Sequence, residues 1–205
     1  MARGRPRTFD RDTALVQATR LFWERGYEAT SVGELGEAMN LRPGSLYAAF
    51  GDKKSLFREA VEAYGRSPEG AFVGKALDQE PTARAAFTRI LHEAATTYSD
   101  PSHPTGCLIV SAATNVTDAD VATYLRDLRN TNLGRFKSRL KAAQEQGELP
   151  PDADPDALAG YFAAVIQGMS QQARDGATTP DLLNIANLAL TALPTDTGDT
   201  PGLPG

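Results

Sequence analysis

Apolar residues recur at helical spacing along almost the whole chain, and no stretch alternates apolar with polar as a half-buried strand would. That pattern restricts the fold to the all-α class. Asp10 stands where an N-cap would open a first helix, with Ala14, Ala18, Leu21 and Phe22 on its inner stripe and Gly26 at its end. Ser31 and Glu34 have the spacing of a capping box for a short helix through Met39. Asn40 then falls where a left-handed C-terminal cap belongs.

The next stretch, LRPGSLYAAFGDKKSLF (residues 41–57), places a Pro-Gly pair against apolar residues at helical spacing. Proline pushes the residue before it into an extended conformation, which suits Arg42 as an N-cap residue. Pro43 fits the first helical position, where its missing N–H costs nothing. The spacing therefore predicts helix 32–39, a turn over 40–42 and helix 43–50, a helix-turn-helix pattern.

Asp52 caps a fourth predicted helix to about Tyr64, with Leu56, Phe57, Ala60 and Tyr64 inward. Residues 65–80 read as a connection that has room for a helical turn. Helix 81–98, a short apolar segment 106–116, a long helix 118–146, and helices 155–173 and 180–193 follow. The expected organisation is an arm and helix-turn-helix domain over 1–51, a larger helical domain over 52–193, and a Pro/Gly/Thr-rich disordered tail over 194–205.

Net charge is −5 but unevenly spread. Residues 1–66 hold 11 Lys and Arg against 9 Asp and Glu, a net of +2, whereas residues 67–205 hold 10 against 17, a net of −7. No apolar run approaches the ~20 residues needed to span a membrane. The arginine-bearing N-terminus has no apolar segment of a secretory leader, and one cysteine forms no intramolecular disulfide. A cytoplasmic location is expected, without a membrane partner.

On helix 43–50, Leu46, Ala49 and Phe50 share one side, while Gly44 and Ala48, flanked by Ser45 and Tyr47, share the other. Small residues there let a helix lie deep in a major groove. Tyr47 and Lys53 suit phosphate contacts, Arg42 a bidentate contact to guanine, and Ala48 a thymine methyl. Arg3, Arg5 and Arg7 form a narrow cationic arm fit for a minor groove. An αα-hairpin with a solvated face, and an arm that only aids solubility, are the competing readings. The two features together in one basic segment favour DNA.

Residues 9–57 resemble the DNA-binding domain of the TetR/AcrR family of transcriptional regulators, through ERGYEATSV, LRPGSLYAAF and the GDKKSLF that follows. The resemblance implies a homodimer on a palindromic double-stranded DNA operator, with a small-molecule pocket and dimer interface in the C-terminal helices. It also implies phosphate contacts at Thr30, Tyr47 and Lys53, and groove-facing positions at Arg42, Pro43, Gly44, Ser45 and Ala48. Arg42 departs from the family's usual Ser or Thr cap, and Ala48-Ala49 from a pair that is often bulky.

In the acidic half, the last two helices carry more apolar surface than one partner stripe needs, so packing against a second copy is expected through Phe162, Ile166, Met169, Leu183 and Leu190. An effector pocket is expected among Phe87, Leu91, Cys107, Ser111, Tyr124 and Leu128, with Thr114 and Asn115 as further polar candidates. Filling the protomer core is the alternative for each apolar residue. Cys107 is either a sensing thiol or a small buried hydrophobe.

His92, His103 and Cys107 are too scattered for a metal site, and no cofactor is expected. No phosphate loop, G-x-S-x-G elbow or dinucleotide fingerprint is present, so enzymatic activity is not expected. The sequence reads as a ligand-responsive dimeric repressor; the alternative is a ligand-independent architectural DNA binder.

Overall fold

The computed structural model describes residues 9–113 and 115–194. Ten helices form among them: α1 (Arg11–Arg25), α2 (Val32–Ala38), α3 (Pro43–Phe50), α4 (Lys53–Arg66), α5 (Pro68–Gln79), α6 (Ala83–Tyr98), α7 (Leu108–Ser111), α8 (Ala119–Glu145), α9 (Pro155–Arg174) and α10 (Thr179–Leu190). The described residues hold no strand, as the periodicity requires. The arginines of the arm, Thr114 and tail residues 195–205 lie outside the described residues.

The expected stop and start signals are in place. Asp10 accepts the N–H groups of Asp12 and Thr13 at the head of α1. Ser31 and Glu34 close their reciprocal capping box at the head of α2. Asn40 takes φ +52°, and the N–H groups of Asn40 and Leu41 return to the carbonyls of Glu37 and Gly36, a Schellman motif. Gly36 is there for close approach, because a Cβ would stand 2.9 Å from the Leu41 carbonyl oxygen.

Helix α5 replaces the expected connection over 65–80. Pro68 starts it, and Phe72, Ala76 and Leu77 are buried at helical spacing. Segment 106–116 is helical only over Leu108–Ser111.

Packing divides the described residues into two compact units, one within 1–70 with 108–125 and the other within 71–107 with 126–205. This differs from the functional division expected at 51/52. Helix α4 packs against α1 and buries Leu56, Phe57, Ala60, Val61 and Tyr64, so it joins the first unit. That unit's core holds an aromatic cluster in which Phe57 meets Phe22 and Tyr27, each with ring centroids 5.0 Å away. In the second unit α6, α9 and α10 pack on one another, and Phe87 lies 4.5 Å from Phe162 and 5.2 Å from Phe136.

Candidate nucleic-acid interface

The site is built from α3 and the residues that hold it. Leu46 and Phe50 are 0% and 3% exposed, and α3 packs through them between α2 and α4. Arg42, Pro43, Gly44, Ser45, Tyr47 and Ala48 are all exposed, with Tyr47 at 51%. Nothing lies within 4 Å of where a Gly44 Cβ would be. The inward and outward sides of this helix are those the spacing predicts.

Arg42 adopts the extended backbone of an N-cap but makes no side-chain cap bond. A missing cap costs about 1 kcal/mol, whereas burying Leu46 and Phe50 contributes about 1.5–3 kcal/mol each. Core docking therefore outweighs the lost cap, and the Arg42 guanidinium stays available to solvent.

Lys53 opens α4 behind the Asp52 cap. Its ammonium lies 4.2 Å from the centroid of the Tyr27 ring. Partial burial pulls its pKa down, opposed by the carboxylates of Glu28 and Glu34.

Thr30 is a correction. It is fully buried, and its hydroxyl donates to the Gly26 carbonyl at 2.7 Å, which closes the turn after α1. The side chain is not presented to a phosphate.

Three residues outside the expected set shape the interface. Tyr27 carries Lys53. Glu28 accepts hydrogen bonds from the N–H and hydroxyl of Thr117 at 2.6 and 2.7 Å and from the Asp118 N–H at 3.2 Å. These bonds hold the Glu28 carboxyl below the usual range, the Thr117 hydroxyl contributing most. Arg11, the first residue of α1, reaches Glu59 on α4 at 2.7 Å and the Ala49 carbonyl near the end of α3 at 3.3 Å. Each of these contacts joins residues at least 26 positions apart, so no local pattern announces it.

With this geometry in place, two family models match: bacterial regulatory proteins of the tetR family over residues 14–60, and the tetracyclin repressor-like C-terminal domain over residues 84–179. The HTH-type transcriptional repressor ComR of Escherichia coli (strain K12) is 33% identical over 195 residues, covering 94% of this chain and 93% of ComR. The chain belongs to the TetR family.

Other members agree with that placement. The repressor BdcR of the same E. coli strain is 27% identical over 94% of this chain and 93% of its own. A cysteine-substituted TetR family regulator CifR, solved in complex with 26-base-pair operator DNA, is 40% identical with a TM-score of 0.88. That match covers 93% of this chain and all of the CifR chain. These relatives are transcriptional regulators rather than enzymes.

The residues expected at an effector pocket and a dimer interface are distributed unevenly. Phe87 and Leu91 are 0% exposed in the core of the second unit, so they are packing residues there. Cys107 and Leu128 are half-buried in that same unit; Ser111 and Tyr124 belong to the first. The Cys107 N–H donates to Ser170 Oγ at 2.8 Å. The nearby Tyr98 hydroxyl is pushed upward in pKa, chiefly by burial and then by the thiol. A cleft of about 300 Å³ lies at the head of α6, lined by Thr82, Arg84, Glu148, Leu149 and Leu193 among others, with none of the expected effector residues.

The dimer residues need correction. Phe162, Ile166 and Met169 are 0%, 8% and 1% exposed because they point into the core of their own protomer. Leu183 and Leu190 are half-buried against that core. The outward side of α9 and α10 carries Tyr161, Ala164, Gly168 and Leu188 instead. Among the described residues no His/Cys/Asp/Glu group could hold a metal, and no helix is long and apolar enough to cross a membrane.

Proposed function

We propose that this protein is a dimeric DNA-binding repressor in the cytoplasm, released from a palindromic operator by a small molecule. One observation carries the reading: α3 buries Leu46 and Phe50 while exposing Gly44 and Ala48 beside Arg42, Ser45 and Tyr47. That side is narrow enough to enter a major groove, with polar reach at its rim. The tilted rings of Phe9 and Phe50 lie 6.5 Å apart, so the residues that lead into α1 run beside the recognition helix, and the cationic sequence of Arg3, Arg5 and Arg7 suits a minor groove.

Dimerisation is supported by α9. Residues 157–173 carry no charge, although Tyr161, Ala164 and Gly168 are exposed. A Cβ on Gly160 or Gly168 would meet nothing within 4 Å. Each glycine costs a helix about 0.5–1 kcal/mol relative to alanine, and the lone protomer offers no steric reason for either. Close approach of a second α9 supplies one. A two-fold axis there pairs two recognition helices with two half-sites.

In this reading the effector binds the acidic half and changes the separation of the two DNA-binding heads. Selection from a random duplex library, followed by a metabolite screen for release, tests the whole scheme. An inverted repeat and a releasing compound are expected. Enrichment of no sequence would replace it with the architectural DNA binder.

A further inference from the structure

Resting on the DNA-binding reading, we propose that Arg11 is a positioning residue for the recognition helix. It fixes the C-terminal end of α3 so that the uncapped N-terminal end presents Arg42 and Ser45 in one register, without touching DNA itself.

The need for such a brace follows from α3. It has eight residues, about two turns, and an isolated helix that short is not stable in water. Its groove-facing N-terminal turn has no side-chain cap, so nothing local at that end fixes its direction. Orientation must be imposed from the core side and from the far end.

The far end is where Arg11 acts. Its Nη2 donates to both carboxylate oxygens of Glu59 on α4, at 2.7 and 3.0 Å, and to the Ala49 carbonyl at 3.3 Å. The guanidinium carbon stands 4.4 Å from the centroid of the Phe50 ring. One planar cation from α1 thus meets an orphan carbonyl of α3, the last aromatic of α3 and a carboxylate of α4. A cation there also complements the negative end of the helix dipole. Glu59 has the complementary task of holding the guanidinium in that plane, which a lone lysine ammonium does not do as well.

The rival assignment for an exposed arginine beside a recognition helix is a phosphate contact. The two differ in salt dependence and in what Glu59 does. Losing a phosphate contact lowers the salt slope by about 0.9 and weakens all sequences alike. Losing a brace leaves the slope alone and lowers only the preference for operator. Neutralising Glu59, an acid near a polyanion, would on electrostatics alone tighten binding. As part of a brace its removal loosens specific binding.

The experiment measures anisotropy of the wild type, Arg11→Gln, Glu59→Gln and the double variant on the selected inverted repeat and on a scrambled duplex, across a salt series, with circular dichroism melts alongside. Each single variant is expected to cut the operator-to-scrambled ratio about tenfold at an unchanged salt slope, with the double variant no worse than either. A slope reduced by about one for Arg11→Gln, with the ratio unmoved in Glu59→Gln, overturns the proposal in favour of a phosphate contact. Should Arg11→Gln fail to fold, Glu59→Gln decides alone: an unchanged or increased ratio overturns it. A discriminating wild type with unaffected variants removes this proposal only, whereas a wild type without preference removes the DNA reading beneath it.

Discussion

The Lys53 ammonium sits 4.2 Å from the centroid of the Tyr27 ring, and that ring is itself wedged 5.0 Å from Phe57 and 6.4 Å from Phe22. A flexible lysine is thereby given a fixed seat on the aromatic core of the first unit. In the proposed DNA complex, less side-chain entropy then remains to be lost at a phosphate.

Lys53→Ala should weaken operator and scrambled DNA by the same factor and reduce the salt slope by about 0.9. Tyr27→Phe keeps the ring face and should bind as the wild type does. Tyr27→Leu should approach the Lys53→Ala phenotype. Anisotropy titrations across a salt series check all three, and a sequence-dependent loss for Lys53→Ala would reassign it to base reading.

Arg42 is exposed and free of any cap bond, so its guanidinium is available to a base edge. Arg42→Ala should cost about 1–3 kcal/mol on the best operator and far less on random duplex. Competition binding measures the difference. Equal losses on both would remove the base contact.

Acid should loosen the first unit in a defined window. Glu28 is held below the ordinary carboxylate range mainly by the Thr117 hydroxyl, and Asp118 chiefly by its ion pair with Lys54. A depressed folded pKa means that the unfolded chain takes up the proton first as pH falls. The stabilisation is therefore complete above the ordinary carboxylate value of about 4 and disappears as pH drops through the lowered one. Melting temperature should hold down to about pH 5 and then fall, and Glu28→Gln should flatten that acid limb. An unaltered limb in the variant would show that Glu28 is not part of it.

The dimer face proposed on α9 separates two kinds of substitution. Gly168→Leu meets open space in the protomer, so it should preserve the fold while shifting sedimentation toward monomer. Phe162→Ala empties the core beside Phe87 and should cost about 3–5 kcal/mol of stability. A dimer unaffected by Gly168→Leu would place the interface elsewhere.

Local chemistry was legible in the chain. Asp10, the Ser31/Glu34 pair, Asn40 and Arg42-Pro43 mark helix ends by short-range hydrogen bonding and dihedral restriction, and each sits where those rules put it. Helix α5 was not legible, because Gly65, Gly70 and Gly74 read as loop. Gly70 is instead required by contact, a Cβ there running into the Tyr64 carbonyl. The phase of α9 was hidden by its composition. Both its sides are apolar, so periodicity does not say whether Phe162 or Tyr161 faces inward. Arg11 and Glu59 stand 48 positions apart, and Thr30, assigned to a phosphate by the resemblance alone, turns its hydroxyl onto the Gly26 carbonyl instead. Such pairings exist only once the chain has folded.

The three hydrogen bonds from 117–118 to Glu28, and the grip of Lys54 on Asp118 and Asp120, have a practical corollary for anyone exchanging heads between members of the family. Exchanging only the first sixty-odd residues between relatives would sever a polar seam and strip α1 and α4 of their neighbour α7. A hybrid that carries 108–125 along with its own head keeps that seam matched, although the swapped piece is then discontinuous along the gene.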